Sequence, residues 1–186
     1  MDTMREFDLR RGRLLVSAVI LGVAALGAFA PPGTGRAADI VRTPLPDGNP
    51  FPIAEAVTVP AGYDTVYVSG TLPAVINKDA AKGSVESYGD TEAQALSTLN
   101  SIKAKLGKLG LGMGDVVKMT VFMVADPSKD NKLDFAGLMA SYGKFFGTAD
   151  QPNKPARSAV QVAALVAPGA LLEIEVIAAK PHRGKR

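Results

Sequence analysis

Val116-Val-Lys-Met-Thr-Val-Phe-Met-Val124 reads as the strongest strand of this chain, because most of its residues are β-branched or bulky and apolar. Only Lys118 and Thr120 interrupt an apolar character that extends to both faces, which places the strand in the interior of a sheet. Working outward, a helix precedes it from Thr91, where Thr91-x-x-Gln94 has the form of a capping box. Its apolar stripe Leu96, Leu99, Ile102, Leu106, Leu109 recurs every three or four residues, and Gly110 is its stop signal. A second helix is expected over 133–146, with Phe135, Leu138, Tyr142 and Phe145 on one face and Gly147 ending it. Beyond the helices lie two pairs of strands. Runs at 53–59 and 65–69, separated by Pro60-Ala-Gly-Tyr-Asp64, read as a β-hairpin, and runs at 156–165 and 170–179 close the domain. The stretch 71–89 has no clear period and reads as a long loop with room for one short strand or helix, a kind of segment that often carries function.

The order ββαβαββ makes an α+β fold, a mixed sheet covered on one face by two helices. Its other face then needs a cover, and association of subunits supplies one.

The first 37 residues read as an export signal or N-terminal anchor. A basic stretch, Arg10-Arg-Gly-Arg13, precedes an apolar run over 14–30 and then small residues, with cleavage expected after Ala37. Read instead as an uncleaved anchor, the run is slightly short of the roughly 20 residues a spanning helix needs. Residues 38–50, rich in Pro and Gly, read as a linker, 51–180 as the domain and 181–186 as a basic tail. An exported, periplasmic location follows from the cleaved reading.

The pI near 9.2 suggests a basic protein, but five of the 21 basic and three of the 18 acidic residues precede Ala38. What remains, 16 basic against 15 acidic residues, is almost neutral, and its lysines are scattered without interleaved aromatics. Nucleic-acid binding loses its electrostatic support. The chain has no cysteine, which removes disulfides, thiolate catalysis and Cys-ligated metals. Its lone histidine, His182, falls in the tail, where a solvated, disordered residue is expected. No cofactor or metal is implied. Chemistry must come from Arg, carboxylates, hydroxyls, Lys or the backbone.

Arg157 draws attention because it stands in the soft apolar run Pro155-Ala-Arg-Ser-Ala-Val-Gln-Val-Ala-Ala-Leu165. An unpaired interior charge costs several kcal/mol, about what forces a guanidinium to find an anion. From the residues alone it is either an anion receptor or an ordinary strand-edge or ion-paired arginine. Glu173 and Glu175 share one face of the last strand by alternation, so an arginine and a carboxylate on consecutive strands could form a small polar site.

Together with Tyr67-Val-Ser-Gly-Thr-Leu-Pro73 and Gly114-Asp-Val-Val-Lys-Met-Thr-Val-Phe-Met123, these blocks resemble the RidA (YjgF) family of imine deaminases, from about Phe51 to Ala179. The resemblance implies a chorismate-mutase-like, RidA-like fold and a homotrimer with its sheets turned inward and three clefts between subunits. It implies that Arg157 binds a substrate carboxylate, that Glu173 holds or activates the attacking water, and that Ser69, Gly70 and the backbone near Ala159 line the cleft. Phe51 stands where the family often has an aromatic hydroxyl, and Met139 where it has a polar residue; both make the cleft more apolar and suit a bulkier 2-imino acid. The partner expected is a small 2-imino or 2-oxo carboxylate, and the activity a cofactor-independent hydrolysis to a 2-oxo acid and ammonia. The rival is an exported, non-catalytic trimeric module that binds small carboxylates or acts as a holdase.

Overall fold

The computed structural model describes residues 38–182. The expected signal or anchor at 1–37 and the end of the basic tail lie outside the described residues.

The interior of the fold is a four-stranded mixed sheet in the order β3 (Tyr63–Thr71), β6 (Leu172–Pro181), β4 (Val116–Met123), β5 (Ala156–Gln161). β6 runs antiparallel to both β3 and β4, and β5 lies parallel to β4. A parallel neighbour cannot be reached by a tight turn, and here α3 (Phe135–Tyr142) makes the crossover. As its composition requires, β4 is an interior strand.

One face of the sheet is closed by α2 (Thr91–Lys108) and α3. Leu99, Ile102 and Leu106 of α2, with Leu138 and Tyr142 of α3, pack against Met119 and Val121 of β4 and Ile174 and Val176 of β6. Each such side chain contributes roughly 1.5–3 kcal/mol by leaving water. The expected stripe of α2 is buried in its middle but not at its end, where Leu109 is 49% exposed.

The opposite face of the sheet is open. It carries Tyr67, Thr120, Phe122, Ser158, Val160, Glu173, Glu175 and Ile177, as the strand registers require. Tyr67 is 75% and Val160 44% exposed there.

Several local expectations are corrected. The run at 53–59 does not form a hairpin with β3: its strand β2 (Ala56–Thr58) pairs instead with β1 (Val41–Thr43) in a separate two-stranded sheet. Sequence proximity favours a hairpin, but β3 finds a longer antiparallel partner in β6, from Tyr63 opposite Pro181 to Thr71 opposite Ile174. The stretch 38–50, expected to be a linker, therefore contains a strand. Arg42 holds it down, donating to the carbonyls of Gly114, Val116 and Lys154 at 2.8–2.9 Å. Burial lowers the pKa of Arg42, and nearby Asp115 partly offsets that.

The cap of α2 is Asp90 rather than Thr91, its carboxylate accepting from the Ala93 amide at 2.9 Å. Gln94, fully buried, serves elsewhere: it donates to the carbonyls of Gly89 and Gly169 and accepts from the Leu171 amide. The long loop includes one helical turn, α1 (Val85–Tyr88). Helix α3 is shorter than its periodicity predicts, starting after its cap Asp134 and giving way to turns after Tyr142. His182, expected to be disordered, is tied to Asp64 at 2.8 Å, and its amide donates to the Gly62 carbonyl. Among the described residues no helix is long and apolar enough to cross a membrane.

Candidate active site

Arg157 sits on the edge strand β5, opposite Met119 of β4, on the face covered by α3. Three rings surround its guanidinium: Cζ lies 4.4 Å from the Tyr142 centroid, 5.4 Å from Phe51 and 5.5 Å from Phe135. Nη1 also donates to the Met139 thioether at 3.2 Å, a weak acceptor. Among the described residues no carboxylate pairs with it. Burial lowers the pKa of this guanidinium, with Tyr142 working the other way, and it remains a cation because an arginine starts so high. The same burial pushes the Tyr142 phenol up, the arginine partly countering it. Tyr142 is itself fixed, its hydroxyl donating to the Pro52 carbonyl at 3.0 Å and its ring stacked on Phe146.

Rings attract a cation through their faces, whereas an arginine donates hydrogen bonds from its planar edge. A caged guanidinium of this kind is stabilised as a cation without spending its fork on an acid. The donors on that edge that Met139 does not use remain available to an anion.

Phe51 and Met139, both expected to line the cleft, therefore meet at Arg157. Phe51 arrives on the chain that leads into β2. Lys154 Nζ donates to the Phe51 carbonyl at 3.3 Å, the Ala54 amide donates to the Pro155 carbonyl, and Ala54 forms a parallel bridge to Ala156. Ala159 lies two residues further along β5 on the same face, opposite Val121, packed against the core.

Glu173 and Gly70 form a second group elsewhere, and Ser69, beside Gly70, borders a different pocket with Tyr67 and Glu175. On β3 the register shifts between Val68, opposite Val176, and Thr71, opposite Ile174, so Ser69 and Gly70 together face Glu175 as a one-residue bulge. The Glu173 carboxylate fills the space in which a Cβ on Gly70 would stand. That close approach is why the position requires glycine. Glu173 also borders a cavity of about 250 Å³ with Phe122, Val162, Ala164, Leu165 and Val166. Glu175 is exposed on the same face.

Within one protomer the two groups do not meet. β6 and β5 are separated by β4, Glu173 projects from the open face, and Arg157 projects from the helix-covered one. The two strands are consecutive in the chain but not neighbours in the sheet, so within one protomer they form no common polar site: Arg157 is on the edge strand β5, and Glu173 is on the interior strand β6 beside Gly70 of the other edge strand. Among the described residues no cluster of three or more His, Asp or Glu side chains could hold a metal.

Phe135 and Tyr142 belong to the arginine's surroundings as much as Phe51 does, and sequence reasoning assigned them only to a helix face. Their spacing showed that they share a face. Which strand that face meets is a matter of the crossover.

A family model described as endoribonuclease L-PSP matches residues 50–180. The chain belongs to this, the RidA (YjgF) family. Among its relatives, the 3-aminoacrylate deaminase RutC of Acinetobacter baylyi is 34% identical over 134 residues, covering 72% of this chain and 94% of the relative. The 2-iminobutanoate/2-iminopropanoate deaminase of Salmonella typhimurium is 40% identical over 115 residues, covering 62% of this chain and 79% of that protein. The crystal structure of the Rid-family protein YyfB from Yersinia pestis superposes with a TM-score of 0.55 at 23% identity, over 75% of this chain and 96% of that one. That likeness shows the fold, an α+β arrangement shared with RidA-family structures.

Proposed function

We propose that this RidA-family chain hydrolyses reactive 2-imino or enamine acids to 2-oxo acids and ammonia, without a cofactor, in clefts between the subunits of a homotrimer. The observation that carries the reading is Arg157, a partly buried guanidinium ringed by Phe51, Phe135 and Tyr142 with no acid of its own among the described residues. Its edge takes the substrate carboxylate through two charge-assisted hydrogen bonds. The names of the two deaminase relatives support the same class of reaction.

The division of the site into halves supports assembly. A second subunit that brings its β3 bulge and Glu173 against the β5 edge of the first unites the arginine with the carboxylate. Water then adds to the carbon of the protonated imine while Glu173 orients it and accepts its proton. The proton passes to the nitrogen of the tetrahedral adduct, the C–N bond breaks, and ammonia leaves as the carbonyl forms. Ser69 and Gly70 shape the wall beside Glu173, and the backbone near Ala159 extends the carboxylate's seat. Export across a membrane, by a signal ending at Ala37, remains part of the proposal.

The test is ammonia release from freshly generated 2-iminopropanoate. Two charge-assisted bonds at roughly 1.5–3 kcal/mol each predict that Arg157→Ala loses about two to four orders of magnitude in kcat/KM. Full activity in that variant sinks the reading. Glu173→Gln separates the enzyme from the rival binding module: the enzyme keeps affinity for a 2-oxo acid but loses kcat, whereas a module without turnover shows none in either form.

A further inference from the structure

The anchor at Arg157 has an apolar flank that binding a carboxylate does not require. Phe51 and Phe135 lie nearly parallel, 14° apart, with centroids separated by 6.2 Å. They come from separately fastened segments, Phe51 from the chain leading into β2 and Phe135 from the first residue of α3, behind the Asp134 cap that accepts from the Gly137 amide. The pair is therefore a built wall. Phe135 remains 38% exposed, so part of the wall is open to a ligand. A third ring would need two stacking gaps of roughly 3.5 Å each, so a ligand packs against the outer side of the pair and not between its members.

We infer that the Phe51–Phe135 wall receives the substrate side chain and selects 2-imino acids with aromatic or large branched side chains over small ones, with Phe135 as the specificity-determining residue. The inference rests on the deaminase reading for the identity of the reacting group. A carboxylate on the edge of the guanidinium brings the substrate's side-chain branch within reach of rings centred 5.4 and 5.5 Å from Cζ. A methyl group leaves most of that wall wet, whereas a benzyl or isobutyl group covers it. The Met139 thioether, held at Nη1, is a flexible apolar neighbour that adapts to either shape. A single methylene in an apolar pocket is worth about 10- to 200-fold, and a half-open wall works at the lower end.

The experiment uses the full-length assembled protein. Imines are generated in situ by an amino-acid oxidase from phenylalanine, leucine and alanine, and their consumption is followed by semicarbazide trapping. In parallel, phenylpyruvate and pyruvate are titrated calorimetrically. The wild type is expected to favour the phenylalanine- and leucine-derived imines in kcat/KM by roughly tenfold or more, and to bind phenylpyruvate more tightly by a similar factor. Phe135→Ala brings both ratios towards one, while Phe135→Leu, which keeps an apolar side chain and the fold, retains part of the preference. Equal consumption of all three imines by the wild type, or a preference unchanged in Phe135→Ala, overturns the wall and leaves the deaminase standing. A binding preference with no imine consumed does the reverse.

Discussion

Arg157 and Gly70 show how differently two residues of one site are written in a sequence. A lone arginine among Ala, Val and Pro is conspicuous because its charge has to be compensated, and the structure meets that need with ring faces and a thioether in place of an acid. Lysine cannot reproduce this, since its ammonium lacks a planar fork. We expect Arg157→Lys to raise the dissociation constant of a 2-oxo acid at least tenfold by calorimetry, with the fold intact by circular dichroism. Gly70 is different. Nothing in Ser69-Gly-Thr71 shows that a carboxylate from a strand a hundred residues later will occupy the glycine's missing Cβ. In Gly70→Ala the end of Glu173 must swing away, a movement of a flexible side chain that changes stability by less than about 1 kcal/mol. Activity should fall to the level of Glu173→Gln, and a crystal structure of the variant should show the carboxylate displaced.

The elements were legible wherever periodicity runs long, and obscure wherever a partner distant in sequence decides. α2 and β4 announce themselves by spacing and composition, and both lie within two residues of the expected bounds. β1 was hidden by the prolines around it, and β2 was given the wrong partner, because three-residue strands carry too little pattern to name one. Gln94 illustrates the same limit. Its spacing from Thr91 reads as half of a capping box, yet it joins α2 to the turn before β6 by two hydrogen bonds and donates a third to Gly89. Gln94→Leu, of similar volume, leaves buried backbone groups without partners and should cost about 2–4 kcal/mol in urea denaturation, whereas Asp90→Ala, which removes only the cap, should cost about 1 kcal/mol. The turn itself is guarded by Gly169, whose φ of +82° and contact with the Ser84 backbone leave no place for a Cβ. An alanine there combines left-handed strain with a backbone collision, and we expect it to lower the melting temperature more than Gly70→Ala does.

For the whole molecule, the decisive feature is a sheet with one covered and one open face. Tyr67 and Val160 stand exposed on the open side, beside the half-buried Phe122 and Ile177, an apolar face that a partner subunit would bury. With Arg157 on the covered face of β5 and Glu173 on the open face of β6, the proposed deaminase needs a second subunit to unite them, which makes its activity depend on assembly. Light scattering should report three times the protomer mass. Val160→Asp, which places a charge in the middle of that face, should yield protomers with a large loss of deaminase activity although Arg157 and Glu173 are untouched. A monomer that keeps full activity would show that both halves act within one chain.

Composition and periodicity alone determined the α+β class, an interior β4, two covering helices and an arginine whose charge, if buried, has to be compensated, because hydrophobic pattern and residue charge are local properties of a chain. Only the tertiary structure decided that β6 lies between β3 and β4, that aromatic rings rather than an acid surround Arg157, and that Glu173 faces away from it. Strand partners and side-chain neighbours are set by which long-range contacts bury the most surface. No window of sequence contains both sides of such a contact.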